Sequence, residues 1–316
     1  GGCRFDFFGT EKFSKGGDCQ MREIKTVMVV GAGFMCSGIA QVTADAGYTV
    51  LLWDVKEEFV QHSVKKMADS LSARVAKGKM TETAKTELLG RIRPVVDLEA
   101  AKGADLVIEA VVEEQKVKGE IFKVCDKVCP EHTILASNTS AIPISTLAIS
   151  TARSDRFIGT HFFSPVPVMK LVEIVRGLKT SSETCEITKA FIASIGKTGV
   201  LVKDGPGFLV NRVMHAFRNE VFRCLEEGVA SLEDIDTAVK LGLGHPMGPF
   251  ELNDFAGLDI GLATSETLWD NFKDPKWRPY LTVRRLVEAG ELGRKTGKGW
   301  YDYTSGEKKP RTDIHF

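Results

Sequence analysis

From Thr26 onward the chain alternates short apolar runs with longer stretches whose apolar residues recur at helical spacing. TVMVV is followed by GAGFMCSGIAQVTADAG and then by the β-rich YTVLLW, which closes on Asp54. This is a strand, helix, strand unit of about thirty residues, the size of a βαβ crossover. Polar helical stretches occupy 57–77 and 83–89. Short apolar runs then alternate with helices: RIRPVV, DLVIEAVV, a helix over 115–128, TILAS, RFIGTHFF, KLVEIVRG, a helix over 182–195 and KTGVLVK. The alternation predicts an α/β fold with a doubly wound, mostly parallel sheet.

After Lys203 the pattern changes. DGPGF is a turn-rich break, and the remainder reads as helices separated by Gly and Pro, among them FLVNRVMHAFRNEVFRCLEEG and SLEDIDTAVKLG. In the second, Ser231 and Asp234 have the spacing of a capping box. A boundary near Gly205 is therefore expected to divide an α/β domain, 21–205, from an all-helical C-terminal domain, 206–316.

Composition narrows the function classes. Of 316 residues 43% are hydrophobic, and 42 basic side chains cancel 42 acidic ones. Disorder needs low hydrophobicity with high net charge, and a general nucleic-acid binder carries excess Lys and Arg, so both are excluded. The length suits two domains, each with its own core. No apolar run is long enough to span a membrane. Seven cysteines, an odd number without paired C-x-x-C spacing, point to a reducing, cytoplasmic setting and to no metal; Cys125 and Cys129 are placed on one helix face. Residues 1–20 lack the apolar core of a signal peptide and read as a tag or an upstream extension, with Met21 as the expected start.

The first helix is where chemistry enters. Gly31-Ala32-Gly33-Phe34-Met35-Cys36 follows a strand and opens a helix, and Asp54 lies 23 residues beyond the first glycine. Gly31 permits the tight turn, Gly33 lets the backbone approach a pyrophosphate, and the helix start at Phe34 and Met35 offers unpaired N–H groups at a positive dipole end. Asp54 can accept from a ribose hydroxyl and would repel a 2′-phosphate, which favours NAD over NADP. A glycine pair alone is only a tight turn packing a helix on a strand. With strand, helix and acid in place it indicates a Rossmann-type dinucleotide site. The third glycine of the usual pattern is Cys36, from which slightly displaced phosphate contacts and weaker NAD binding are expected.

Six histidines occur, at 62, 132, 161, 215, 245 and 315, and a single His is more often structural than catalytic. His161 ends the apolar strand RFIGT, and the loop FFSPVPVM leads to KLVEIV, where Glu173 interrupts an apolar run. A carboxylate in a buried strand costs several kcal/mol unless paired or hydrogen-bonded. Two readings stay open: a dyad in which Glu173 orients the imidazole and His161 takes a proton from a substrate hydroxyl, or a solvent-facing Glu173 beside a passively packed His161. Spacing does not place the two strands side by side. Ser137-Asn138-Thr139-Ser140 follows a strand at the carboxyl end where open α/β sheets bind ligands, and Asn211 lies just past the domain break. Taken singly these are a turn residue and a helix amide.

Together the motifs GAGFMCSGIAQ, VIEAVVEEQKVK, ASNTS, HFFSPVPVMKLVEIV, DGPGFLVNR, LGLGHPMGPFELNDFAGLD and GRKTGKGWYDY, in this order and spacing, resemble the L-3-hydroxyacyl-CoA dehydrogenases, and among them the bacterial 3-hydroxybutyryl-CoA enzymes. The resemblance runs from about Lys25 to Tyr303. It implies reversible NAD-linked oxidation of a (3S)-3-hydroxyacyl-CoA to a 3-oxoacyl-CoA. On the matching positions His161 is the general base, Glu173 its partner, and Ser140 and Asn211 contact the reacting oxygens. Asp54 matches the acid that holds the adenosine ribose, and Glu113, Lys118, Ser140 and Lys295 match other cofactor contacts. Ser164 stands near the nicotinamide where many members carry an Asn, a second departure after Cys36. The helical second domain is implied to form a homodimer interface and to close over the substrate.

Coenzyme A carries phosphates, which zero net charge does not provide for. Residues 65–79 hold Lys65, Lys66, Arg74, Lys77 and Lys79 against one acid, Asp69. On composition such a run is a solvated helix face. The resemblance makes this helix the CoA holder, with Ser70 and Lys77 as candidate contacts. Two alternatives complete the reading: a dehydrogenase of a free hydroxy or sugar acid, which has no use for five cations, and a non-catalytic NAD-binding protein on the same fold.

Overall fold

The computed structural model describes residues 23–311 and 313. The expected extension and Met21 lie outside the described residues. The first half alternates strand and helix: β1 (Thr26–Val30), α1 (Phe34–Asp45), β2 (Thr49–Trp53), α2 (Glu57–Ala76), α3 (Glu82–Gly90), β3 (Ile92–Val95), β4 (Leu106–Glu109), α4 (Gln115–Val128) and β5 (Ile134–Ser137). Then come α5 (Ile144–Ala148), β6 (Phe157–Phe162), β7 (Leu171–Arg176), α6 (Ser182–Ser194) and β8 (Thr198–Lys203).

These strands form one eight-stranded sheet in the order β3-β2-β1-β4-β5-β6-β7-β8. Chain order reverses between β1 and β4, which opens a crevice at their carboxyl ends. All neighbours are parallel except β6 and β7. The reason is length. Only residues 163–170 join these two strands, fewer than a parallel crossover needs.

The sheet is covered on both faces, as period-two burial requires. In β1, Val27 and Val29 pack with Ile39 of α1 and Val60 and Leu71 of α2, while Met28 and Val30 face Phe122 of α4 and Leu147 of α5. Each such fully buried side chain contributes about 1.5–3 kcal/mol.

The rest is mainly helical, with α7 (Val210–Glu226), α8 (Leu232–Gly242), α9 (Pro249–Ala256), α10 (Leu258–Phe272) and α11 (Leu281–Glu288) followed by isolated antiparallel bridges over 293–309. A third core holds them, with Phe222 and Phe250 against Trp300 at 5.0 and 4.9 Å between ring centroids. Ser231 caps α8 by accepting from the Asp234 N–H.

Candidate active site

At the carboxyl end of β1 the chain turns through Gly31, whose φ of +109° favours glycine, and Gly31 N–H donates to the Trp53 carbonyl at 2.7 Å. Asp54 braces this turn: Oδ2 accepts from Ala32 N–H at 2.7 Å and Oδ1 from Val55 N–H at 2.8 Å. Gly33 caps α1 with no side-chain cap and no acid in the first turn, and Phe34 is 69% exposed. A Cβ on Gly33 would meet nothing within 4 Å. Bare N–H groups at a positive helix end therefore face open space, a fit for a pyrophosphate. Cys36 is fully buried. Its Sγ lies 3.2 Å from the Ala110 carbonyl and fills the space under the turn, and burial pushes the thiol up to about 12.

Register supplies the pairing of His161 and Glu173 that spacing left open. In the antiparallel β6–β7 pair the two residues stand directly opposite each other, and His161 Nδ1 is 2.7 Å from Glu173 Oε2. His161 is 6% exposed and Glu173 is fully buried, so the solvent-facing alternative fails. With Nδ1–H donating to the carboxylate, Nε2 of the neutral ring is left as an acceptor. Phe163 and Phe208 flank the imidazole at 4.6 and 5.6 Å. The other carboxylate oxygen, Oε1, accepts from the backbone N–H groups of Leu209 and Val210 at 3.0 and 2.8 Å. Asn211, half-buried, is the next residue of α7.

Ser140 is exposed on the loop after β5, which Asn138 and Glu109 hold; Glu109, like Lys197 beneath the neighbouring loop, carries no role assigned from the sequence. Asn138 Oδ1 accepts from Phe162 N–H at 2.8 Å, tying the loop to the residue after His161. Glu109, fully buried at the end of β4, accepts from Ser137 Oγ and Lys118 Nζ. Lys197, also buried, donates to the carbonyls of Val166 and Met169 and so holds the β6–β7 loop that carries the exposed Ser164. A legible signal for Glu109 existed: like Glu173, it is an acid inside an apolar strand.

Glu113 accepts from Thr139 Oγ1 at 2.5 Å and from the N–H groups of Ser140 and Ala141. Burial alone would raise its carboxyl, but Lys118 and these donors hold it below the usual range. Glu109 is shifted the other way, raised by burial against the pull of Lys118. Lys118 itself is 1% exposed and paired with both acids, at 2.6 and 3.1 Å.

The remaining candidates lie apart from this cluster. Lys295 is exposed and paired with Asp259 at 2.6 Å. Ser70 is exposed on α2 and Lys77 at its C-cap. None of the five cations over 65–79 forms an ion pair among the described residues, so their charge stays available. Cys125 lies within α4 and Cys129 at its C-cap.

Comparison with known proteins gives the family. Residues 26–205 match the family model "3-hydroxyacyl-CoA dehydrogenase, NAD binding domain", and residues 207–303 match "3-hydroxyacyl-CoA dehydrogenase, C-terminal domain". The chain is 50% identical over 281 residues to a probable 3-hydroxybutyryl-CoA dehydrogenase of Bacillus subtilis, covering 89% of this chain and 98% of that one. It is 45% identical to a 3-hydroxybutyryl-CoA dehydrogenase of Bradyrhizobium diazoefficiens, covering 91% and 98% respectively. The crystal structure of an (S)-3-hydroxybutyryl-CoA dehydrogenase from Ralstonia eutropha superposes with a TM-score of 0.87 at 47% identity, over 89% of this chain and all of that one.

Proposed function

The chain belongs to the 3-hydroxyacyl-CoA dehydrogenase family, and from that premise we propose that its His161–Glu173 pair is the general base for oxidation of a short-chain substrate, (3S)-3-hydroxybutyryl-CoA. The activity itself is NAD-dependent interconversion of 3-hydroxyacyl-CoA and 3-oxoacyl-CoA. NAD, when bound, supplies the acceptor for the C3 hydride.

His161 Nε2 removes the hydroxyl proton, and Glu173 stabilises the imidazolium that results. In reverse the imidazolium returns the proton to the alkoxide. Ser140 and Asn211 orient the reacting oxygens, Ser140 from the loop tied to Phe162 and Asn211 from the helix anchored on Glu173. Gly31 makes the turn, Gly33 leaves room for the close approach, and the N–H groups of Phe34 and Met35 at the start of α1 hold the pyrophosphate, with Asp54 at the adenosine ribose. Glu113, Lys118, Ser164 and Lys295 complete the cofactor contacts; for Lys118 and Lys295 this means exchanging protein partners they hold in this structure.

The unpaired cations of α2 meet CoA, with Ser70 and Lys77 among the contacts. Residues 21–205 form the NAD-binding unit, and 206–316 form a substrate-binding unit that pairs two copies into a homodimer. None of the described helices is long and apolar enough to cross a membrane, and the placement proposed is cytoplasmic.

The observation that carries this reading is the 2.7 Å contact between a buried imidazole and a carboxylate on neighbouring strands. NADH oxidation with acetoacetyl-CoA, longer 3-oxoacyl-CoAs and free acetoacetate tests it. Turnover highest with acetoacetyl-CoA is expected; preference for free acetoacetate contradicts it.

A further inference from the structure

Apart from the catalytic groups, α7, α9 and α10 enclose a small polar cavity lined by Arg218, Asn253, Gly261 and Ser265 among others. The space open to a water-sized centre is about 10 Å³, room for one occupant. Asn253 is 2% exposed, and its Oδ1 accepts from Trp300 Nε1 at 2.9 Å, which fixes the amide so that its donor end, Nδ2, turns away from the indole. Nδ2 is buried with no hydrogen-bond partner. Arg218 Nη2 donates to His215 Nε2 at 2.9 Å, and its Nη1 faces the same space as Asn253: a Cβ on Gly261 would stand 2.9 Å from both nitrogens.

The neighbouring imidazole fixes the remaining polarity. His215 is 4% exposed, and burial, with Arg218 beside it, pushes its pKa down to about 3, so the ring is neutral. Nε2 therefore accepts from Arg218, and Nδ1–H donates to Ser265 Oγ at 3.0 Å. The Ser265 hydroxyl proton becomes a third donor on the cavity wall. Burial, unopposed by any carboxylate, pushes the Arg218 guanidinium down to about 10.

A cation, an amide N–H and a hydroxyl converge on a one-atom space with no carboxylate in its lining, a donor-rich set for an anion. A water could accept from two of them, but it would bring protons of its own and leave the guanidinium uncompensated. We propose that this cavity is a binding site for a single monovalent anion of halide size, chloride being the common one. The occupant ties α7 to α9 and α10. Asn211, His215 and Arg218 stand at i, i+4 and i+7 on one face of α7, so the anion braces the helix that carries Asn211 toward the active site.

Thermal unfolding of the full chain in sodium chloride, sodium bromide and sodium gluconate at equal ionic strength reads the site. An anion held only by the folded state, at ten times its dissociation constant, multiplies the folding constant about elevenfold. A higher Tm in both halides than in gluconate is expected. Gly261→Ala, whose methyl would stand 2.9 Å from both donors, and Arg218→Leu, which removes the cation, should each abolish the halide dependence. A bromide-soaked crystal should show an anomalous peak beside Arg218 and Asn253. Equal Tm in halide and gluconate, or a water or a partner-subunit carboxylate at that position, overturns the proposal.

Discussion

Glu173 Oε1 lies 2.8 Å from the backbone nitrogen of Val210, the first residue of the helix that carries Asn211. One carboxylate thus orients the imidazole through one oxygen and anchors the start of α7 through the other. His161 and the helix that carries Asn211, from segments on either side of Gly205, share a support.

Two substitutions at Glu173 separate these roles. Glu173→Gln keeps an acceptor for Leu209 and Val210 but removes the charge that stabilises an imidazolium. Its kcat should fall by about 10²- to 10⁴-fold with little change in Tm. Glu173→Ala should lose rate to a similar degree and also strand two N–H groups, at about 1–3 kcal/mol each. Steady-state kinetics beside thermal melts check this; equal Tm values for the two variants would remove the anchoring role.

Lys118 is the only cation ion-paired with Glu109 among the described residues. Lys118→Met leaves that carboxylate buried and uncompensated, and a loss of about 3–5 kcal/mol in unfolding free energy is expected. The double variant Lys118→Met/Glu109→Gln should recover most of it. Denaturant titration of wild type, single and double variants measures both steps, and a double variant no more stable than the single one would contradict the pairing.

Asp254 gives the C-terminal domain a pH signature. Burial raises its carboxyl to about 6, despite hydrogen bonds from Trp300 N–H, Tyr301 N–H and the Tyr303 hydroxyl. The folded chain keeps a proton there that the unfolded chain releases near pH 4. This contribution to stability is therefore complete below about pH 4 and lost as pH rises through about 6. Asp254→Asn cannot titrate. Between these limits the stability difference between wild type and Asp254→Asn should change by about 3 kcal/mol, wild type losing as pH rises. Unfolding midpoints of both proteins across this window provide the measurement, and a constant difference contradicts the assignment.

What the sequence made legible follows physical range. Gly31, Gly33 and Asp54 belong to one βαβ unit, so local periodicity was enough to place them together. His161 and Glu173 are 12 residues apart on separate strands, and periodicity leaves their pairing open. The brevity of the segment 163–170 was the available clue, because it forbids a parallel crossover. Lys118 shows the limit from the other side. Its helix was readable, yet only the packing of β4 and α4 shows it buried between Glu109 and Glu113. The polar cluster around Arg218 left no trace in hydropathy, since an amphipathic helix with Arg218 on its surface gives the same pattern.

The proposed role of His161 is to move the proton. The most direct measurement is turnover of acetoacetyl-CoA with NADH by His161→Gln, a variant that keeps a polar side chain of comparable reach but has no titratable nitrogen. A loss in kcat greater than about a hundredfold is expected, with NADH binding intact by fluorescence titration. Near-wild-type turnover in that variant would contradict it.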